Sequence, residues 1–225
     1  MAGQPGAMTT TALLILHEKC NKPTVEKEWI AWHREVHEPD ILATGAEHVT
    51  FWQLSTKPEP GMPGLGFSHV TIAEYATIDI PPFATALATM RANDRVHEAH
   101  TVVDGVTYSA HGAWNRKPAP GDELRGHILA LVMPNDPARE AEWDEWYDRE
   151  HVPDMLASGA FSAATRWRRE PRRELGADFV TLYDVSLPSI DEAVARSAAV
   201  MPGIVAAGRK HPAHAGALTV TLVPA

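Results

Sequence analysis

The sequence contains a single cysteine, Cys20, in 225 residues. One cysteine can form neither an internal disulfide nor the paired motif of a zinc knuckle or a redox centre. This scarcity favours a reducing compartment, and we expect a cytoplasmic protein. No run of residues approaches the roughly 18 consecutive apolar positions that a transmembrane helix needs, so we expect no membrane partner.

Basic residues are also in deficit, because 20 Lys and Arg stand against 29 Asp and Glu, a formal net charge of −9. A field of this sign repels phosphate backbones, and nucleic acid is therefore not an expected partner. The hydrophobic share of 44% and the charged share of 22% are ordinary for a globular protein. We expect a small-molecule substrate, and a homodimer of the chain as its assembly.

The strongest pattern in the sequence is an internal repeat. Residues 28–46 reappear as residues 142–160, an offset of 114, with ten of nineteen positions identical. Two tryptophans, a histidine, a proline and a glycine are among the identities. The histidine pair His97 and His100 returns at the same offset as His211 and His214. We infer two copies of about 110 residues each.

Both copies have the same predicted order of elements. An apolar run predicts a buried strand, and the helix that follows starts in the second copy at Asp136 as cap and Pro137 as first helical residue. Two strands, a second helix and a last strand complete the order β-α-β-β-α-β. Strands are predicted at 11–16, 48–54, 68–75, 105–110, 127–133, 162–167, 179–185 and 217–223, and the second helices at 82–93 and 190–201.

This order is that of the ferredoxin-like motif, an antiparallel sheet with both helices on one face. We predict an α+β fold in which two ferredoxin-like (βαββαβ) repeats form an intramolecular dimeric α/β barrel. The predicted segments are a flexible N-terminal tail at 1–8, a first repeat at 9–116, a linker at 117–124 and a second repeat at 125–225.

The first predicted helix of each copy carries its aromatic residues on one face. Positions i, i+3, i+4, i+7 and i+8 fall together on a helix. They are Trp29, Trp32, His33, Val36 and His37 in the first copy and Trp143, Trp146, Tyr147, Glu150 and His151 in the second. We expect the four tryptophans to pack in the core and to line the substrate pocket, where each indole N–H needs a partner.

His37 and His151 each precede a proline by two residues, which predicts the end of the helix there. Each imidazole could satisfy carbonyls at the helix end, or act as a general base at the mouth of a pocket. Asp40 and Asp154, three residues further on, could orient the ring or support the next helix. The sequence leaves these alternatives open.

The segment 142–156, followed by Gly159 and Arg166, resembles the dimeric α/β-barrel superfamily and, within it, the EthD-like proteins. The resemblance covers essentially the whole chain as two copies, and the Trp-Tyr…Glu-His-x-Pro pattern is fairly specific. The first copy departs from it at His33 and Val36, which replace the tyrosine and the glutamate.

This superfamily includes cofactor-free monooxygenases, muconolactone-type isomerases, polyketide and olivetolic-acid-type cyclases, and haem enzymes such as chlorite dismutase. The resemblance therefore does not fix the reaction. In the methylmuconolactone isomerase branch, a histidine at the position of His37 and His151 is implicated in proton transfer, which is what the resemblance implies for these two residues.

Our leading hypothesis is a cofactor-independent acid–base enzyme of isomerase, lyase or cyclase type that acts on a small apolar carbonyl, lactone or phenolic compound. His37, His69 or His151 would be the general base, and Tyr147 or Tyr183 would donate to the developing enolate. The alternatives are a haem-binding enzyme of the chlorite-dismutase-like group and a non-catalytic small-ligand-binding protein. The leading hypothesis requires no cofactor and no metal.

His69 shares a predicted strand face with Thr71 and with Tyr75, which we expect to line the substrate pocket. Phe179 replaces His69 in the second copy. Satisfaction of a buried ring nitrogen within the core is the simpler interpretation of His69. Because the first copy has three histidines around its cleft, we expect that cleft to be wetter and to dominate.

Two further patterns have weaker implications. The i, i+3 histidine pairs could bind a metal if they were helical, but no acidic or cysteine companion stands at ligand spacing in both copies. A predicted hairpin rich in arginine could recognise a carboxylate or phosphate or remain solvated. Its arginines are Arg166, Arg168, Arg169, Arg172 and Arg173.

Overall fold

A computed structural model of the chain describes residues 10–55, 65–80, 83–115, 123–172 and 177–225. The chain divides into two compact units, the N-terminal unit (Thr9–Ser109 with Pro224–Ala225) and the C-terminal unit (Ala110–Val223). The predicted tail at 1–8 and most of the predicted linker, at 117–122, lie outside the described residues. The predicted bounds of the two repeats stay a prediction.

The N-terminal unit contains an antiparallel sheet in which β3 lies between β1 and β2, and β1 lies between β3 and β4. Its elements are β1 (Ala12–Cys20), α1 (Glu26–Trp32), a π-helical turn (His33–His37), α2 (Glu38–Leu42), β2 (His48–Leu54), β3 (His69–Tyr75), α3 (Phe83–Ala92) and β4 (His100–Asn115), which runs on into the C-terminal unit. Alternate β1 residues point to one face, and on one of these faces Leu14 and Leu16 pack with Ile41 of α2.

The C-terminal unit has the same arrangement, with β7 between β5 and β6, and β5 between β7 and β8. Its elements are β5 (Gly126–Pro134), α4 (Glu140–Trp146), a π-helical turn (Tyr147–His151), α5 (Val152–Ala157), β6 (Ala163–Glu170), β7 (Phe179–Val185), α6 (Ile190–Ala206) and β8 (His214–Pro224). Trp143, Trp146 and Tyr147 pack against Phe179 and Tyr183 in its core.

The predicted α+β class is confirmed by these elements. The strands predicted at 48–54 and 179–185 have the bounds that the structure shows, whereas β4 is longer than the predicted 105–110. The further predictions of ferredoxin-like repeats and of one closed barrel stay predictions. Among the described residues, no helix is long and apolar enough to cross a membrane.

The helix termini show where local rules applied and where they did not. Asp136 caps its helical segment as predicted, because its carboxylate accepts a hydrogen bond from the N–H of Ala138 at 3.0 Å. Pro39 and Pro153 do not end the first helix of their unit. Instead, each follows a π-helical turn and lies in the first turn of the next α-helical segment, where a missing N–H costs little.

Candidate functional site

A buried group of polar side chains lies between the sheet and the first helix of the N-terminal unit. Its centre is the carboxylate of Glu18, a fully buried charged residue that follows the apolar first half of β1. We call Glu18, His33, His37, Thr71 and His100 the Glu18 cluster. His33, His37 and Thr71 are 0% exposed, and the side chain of His100 is 2% exposed.

The two oxygens of Glu18 have different partners. Oε2 accepts a hydrogen bond from the Thr71 hydroxyl and lies 3.3 Å from Nε2 of His33. Oε1 lies 3.0 Å from Nε2 of His37 and 3.5 Å from Nε2 of His100. The carboxylate is therefore oriented by His33 and Thr71 on one side and faces two further imidazoles on the other.

The burial and the hydrogen bonds act on the protonation of these groups in opposite directions. Burial alone would raise the pKa of Glu18, but the hydrogen bonds with His33 and His37 outweigh it and hold that pKa well below its usual range. Burial opposes the charged form of His33, yet the hydrogen bond to Glu18 raises its pKa. Burial lowers the pKa of His100 to about 4, so its imidazole is neutral near pH 7.

Aromatic rings enclose the cluster. His33 stacks on Phe51 with ring centroids 3.6 Å apart, and His37 stacks on Trp32 at 5.1 Å. Trp29 donates its indole N–H to Nδ1 of His100 at 3.3 Å. The predicted core role of Trp29 agrees with its complete burial, whereas Trp32 is partly exposed.

Three donor atoms of the cluster converge on one point. One ligand atom from each of Glu18, His37 and His100 lies within 4.8 Å of the other two. Neutral imidazole nitrogens and a carboxylate oxygen are ligands of first-row transition metals. The three residues come from β1, the π-helical turn and β4, so an ion held by them would join three separate elements.

Two other predicted site residues of the N-terminal unit, His69 and Tyr75, are not among the three converging donors. His69 is fully buried beside Trp29, with Nδ1 2.9 Å from the Ser68 hydroxyl, and burial lowers its pKa to about 4. Tyr75, six residues further along β3, pairs its hydroxyl with that of Thr44 at 2.8 Å. The cleft of the first copy is polar, as expected. Its histidines are buried, however, so the prediction that this cleft is more open to water was wrong.

The two predicted tyrosines of the C-terminal unit, Tyr147 and Tyr183, lie in a row of hydroxyl groups with Thr181. The Thr181 hydroxyl donates to the Tyr147 hydroxyl at 3.1 Å. The Tyr147 hydroxyl in turn lies 3.5 Å from the Tyr183 hydroxyl. Burial raises the pKa of both phenols. His151 packs on the Tyr147 ring at 4.6 Å, and burial together with His214 and Arg166 lowers its pKa to about 3. The catalytic roles of these residues stay predictions.

The two units repeat several contacts at equivalent positions. Trp143 donates to Nδ1 of His214 at 3.2 Å, as Trp29 does to His100. Trp146 donates to the carbonyl of Arg209 at 2.7 Å, as Trp32 does to that of Arg95 at 2.8 Å.

The aspartates that follow the two histidines also have equivalent partners. Asp40 accepts two hydrogen bonds from Arg95, at 2.8 and 2.7 Å, and Asp154 pairs with Arg209. Of the two alternatives left open by the sequence, these contacts support the helix and not the orientation of His37 or His151.

The units differ in the charge that they bury at two equivalent positions of the sheet. Glu18 pairs with His69 in its sheet and Val132 pairs with Phe179 in the other, so Val132 occupies the position of Glu18. By the same register, Arg166 stands opposite Thr181 as Phe51 stands opposite Thr71. The N-terminal unit therefore buries an anion among imidazoles, and the C-terminal unit buries a cation.

Arg166 is 1% exposed and its charge is neutralised within the unit. It donates to Asp144 at 2.6 Å and to Asp148, and its guanidinium lies 4.4 Å from the centre of the Tyr147 ring. His111 also pairs with Asp144 at 2.9 Å.

Arg168 and Arg172 of this hairpin also have carboxylate partners. Arg172 binds Glu140 and Asp178, and Arg168 lies 3.4 Å from Glu170. Arg173 lies outside the described residues. Arg166 and Arg172 therefore already have carboxylate partners within the chain, and their positions do not require an external carboxylate or phosphate.

Sequence reasoning missed Glu18, the centre of the cluster. A signal for it existed, because Glu18 continues the i, i+2 series of Leu14 and Leu16 on a buried strand face, where a charge needs a partner. His100 was considered only with His97, at an i, i+3 spacing. The structure shows that the carboxylate companion comes from β1, some 80 residues away along the chain.

Solved structures match the chain along nearly its whole length, although no family model and no curated protein matches it. A variant of DypB from Rhodococcus jostii RHA1 in complex with heme is 10% identical, with a TM-score of 0.63, and the match covers 96% of this chain and 94% of that chain. A DypB variant in complex with manganese is 12% identical, with a TM-score of 0.57, over 96% and 93%. A mutant chlorite dismutase from Candidatus Nitrospira defluvii is 10% identical, with a TM-score of 0.56, over 95% and 92%.

At this level of identity the comparisons show a shared fold, that of the chlorite dismutase and dye-decolorizing protein group. They contradict the prediction of a cofactor-independent isomerase, lyase or cyclase, because similar structures are bound to heme or manganese. The narrower EthD-like assignment is not supported either. The Trp-Tyr…Glu-His-x-Pro pattern describes how the first helix packs and bends, and this is a property of a fold that serves many reactions.

Proposed function

We propose that this protein is a metalloprotein whose N-terminal unit binds one first-row transition-metal ion through Glu18, His37 and His100. The observation that carries the proposal is the convergence of three buried donor atoms within 4.8 Å of one another. Nε2 of His100 supports it, because this buried atom has no hydrogen-bond partner among the described residues.

The carboxylate is oriented for this role. His33 and Thr71 engage Oε2, which leaves Oε1 directed at the two other donors. Partners of this kind fix the orientation of a metal-binding carboxylate and are part of the affinity of such sites. Val132 replaces the carboxylate in the C-terminal unit, so the third ligand is missing there. The proposed stoichiometry is therefore one ion per chain.

The donor set favours particular ions. Two imidazoles and one carboxylate suit Fe²⁺, Co²⁺ and Zn²⁺ better than the hard ions Mg²⁺ and Ca²⁺, which prefer oxygen ligands. An ion with three protein ligands keeps positions open for water or a small ligand and acts there as a Lewis acid. His33, next to Oε2 of Glu18, would keep the carboxylate oriented toward the ion.

Haem is the cofactor that the heme-bound relative suggests, and it does not fit the Glu18 cluster as packed. Nε2 of His37 faces the carboxylate of Glu18, and the ring lies against those of Trp32 and His100. A porphyrin would have to displace these groups. His151 of the C-terminal unit is similarly enclosed by Trp146, Tyr147 and His214.

We further propose that the chain is a tandem duplication of one ferredoxin-like repeat. The offset of 114 residues shared by the segment 28–46 and by the histidine pair, and the equivalent tryptophan contacts to His100 and His214, support this. In such a duplication one copy can lose the site while it keeps the packing. The presence of Val132 where the other copy has Glu18 agrees with that history.

The test is metal binding to the apoprotein. Calorimetric titration with Co²⁺, Zn²⁺ and Fe²⁺ under anaerobic conditions, followed by elemental analysis, should give one ion per chain. Glu18→Gln and His100→Ala should each weaken binding at least tenfold, because the loss of one ligand leaves two. His214→Ala is the matched control and should bind as the native protein does.

Two results would contradict the proposal. Absence of binding for all three ions would reject the site, and equal losses in His100→Ala and His214→Ala would reject its location. Titration with hemin in the same buffer separates the haem alternative. A Soret band that His100→Ala or His151→Ala abolishes would replace the proposed ion with haem.

A further inference from the structure

We infer that Trp32 is the gate through which an ion reaches the Glu18 cluster, an inference that rests on the metal site proposed above. Trp32 is partly exposed, whereas Glu18 and His37 are completely buried. Its ring stacks on that of His37 at 5.1 Å and lies 4.9 Å from that of His100. Trp32 thus covers two of the three proposed ligands.

The ring of Trp32 is held closed by a specific contact. Its indole N–H donates to the carbonyl of Arg95 at 2.8 Å, in the segment that joins α3 to β4. The guanidinium of Arg95 in turn binds both carboxylate oxygens of Asp40 on α2, at 2.8 and 2.7 Å. The Asp40 pair is therefore one anchor of the residue whose carbonyl holds the ring over His37 and His100, and we expect its loss to loosen that contact.

The surroundings leave space for this movement. A cavity of about 470 Å³ lies between α2 and α3 and is lined by both members of the Asp40–Arg95 pair, together with Thr44 and Met90. Asp94, next to Arg95, has a φ of 53°, a left-handed conformation that aspartate occasionally adopts, and it belongs to the turn that ends α3, in which the N–H of Arg95 donates to the carbonyl of Met90 at 2.9 Å. The segment that holds the ring is thus a short turn bordered by empty space.

A gate of this kind controls the rate of entry and leaves the ligands unchanged. Enlarging the opening should therefore accelerate both loading and release of the ion, with the stoichiometry kept at one per chain. Trp146 makes the equivalent contact with the carbonyl of Arg209 in the unit where Val132 replaces the carboxylate. Its removal should not affect loading.

The experiment is stopped-flow mixing of apoprotein with Co²⁺, followed by the visible absorption of the bound ion. Trp32→Ala should load at least tenfold faster than the native protein, and Asp40→Asn should load several-fold faster because Arg95 loses one anchor. Trp146→Ala and Asp154→Asn are the matched controls and should load at the native rate. Far-ultraviolet circular dichroism checks that every variant is folded.

The outcomes separate the gate from the site. If no variant and no native protein binds Co²⁺, the proposed metal site is wrong. If all bind one ion and Trp32→Ala loads at the native rate, the site stands and the gate is wrong. Should Trp32→Ala fail to fold, Trp32→Phe and Asp40→Asn test the gate instead. Both weaken the contact with Arg95, and both keep an aromatic ring at position 32.

Discussion

Among single residues, Trp29 is the one that most directly opposes the proposed ion. It donates to Nδ1 of His100, and a neutral imidazole whose Nδ1 accepts a hydrogen bond carries its proton on Nε2. Nε2 is the atom directed at the ion, so Trp29 favours the tautomer that competes with metal. One hydrogen bond contributes about 1 kcal/mol, or roughly fivefold in affinity.

We therefore expect Trp29→Phe to bind Co²⁺ about threefold to tenfold more tightly than the native protein. Calorimetric titration at a temperature where both proteins are folded measures the change. Trp143→Phe, which removes the equivalent contact to His214, should leave the affinity unaltered. Weaker binding by a folded Trp29→Phe variant would show that the indole supports the ligand set instead of opposing it.

Asp144 gives a second test at the residue scale, in the C-terminal unit. Burial alone would raise the pKa of Asp144, but His111 and Arg166 together lower it. The folded state then favours the carboxylate, so the stabilisation is complete above the unfolded-state pKa of about 3.9 and is lost as the pH falls through the lower folded value. Removing this charge leaves the buried Arg166 with Asp148 alone.

Asp144→Asn should lower the free energy of unfolding by about 2–3 kcal/mol at pH 7. Breaking a buried ion pair costs about 3–5 kcal/mol, and we expect a smaller loss because Asp148 still pairs with Arg166. Urea titrations from pH 3 to pH 7 measure the difference from the native protein, which should shrink below about pH 4. Glu145→Gln removes an exposed partner of Arg149 and should cost less than about 0.5 kcal/mol. A difference that stays constant with pH would contradict the assignment.

The burial of individual residues could be read from the sequence more readily than their partners. The spacing of Trp29 and Trp143 predicts a core face, and both are 0% exposed. Glu18 escaped notice because its partners His33, His37 and His100 come from other elements and only the tertiary structure assembles them.

At the scale of elements, helix caps and prolines had unequal predictive value. Asp136 and Pro137 marked their helical start correctly because a cap depends on neighbours within three residues. The prolines at 39 and 153 did not end their helices, and α6 continues through Pro202 to Ala206. Packing of these helices on the sheet outweighs the local cost of the missing N–H.

The two units allow the cap to be tested in both directions. Asp136 accepts from the N–H of Ala138, whereas the equivalent Lys22 of the N-terminal unit has extended backbone and no side-chain cap. Asp136→Ala should lower the free energy of unfolding by about 1 kcal/mol, and Lys22→Asp should raise it by less than that, because it also removes the exposed ion pair of Lys22 with Glu98. Urea denaturation at pH 7 measures both. If neither variant differs from the native protein, these caps contribute nothing to stability.

At the scale of the whole molecule, the two units share one architecture and differ in the charge they bury. The sequence predicted the repeated order of elements, since strand and helix patterns are local. It also favoured the first copy, from its three histidines, but it did not identify the replacement of Glu18 by Val132 or of Phe51 by Arg166, because the burial and the partners of these residues are set by the tertiary structure. An ion bound as proposed should therefore protect one unit and not the other.

Ligand that binds only the folded state stabilises it by mass action, by about 2.7 kcal/mol at a free concentration one hundred times Kd. Co²⁺ at that concentration should raise the Tm of the native protein and raise that of Glu18→Gln clearly less, because the variant binds at least tenfold more weakly. Hydrogen exchange followed by mass spectrometry should show slower exchange in peptides from 12–20, 33–42 and 100–109, which contain the proposed ligands. The equivalent peptides from 126–134 and 147–157 should exchange as in the apoprotein, because Val132 offers no ligand there. Equal protection of both sets of peptides would place ions in both units and overturn the assignment.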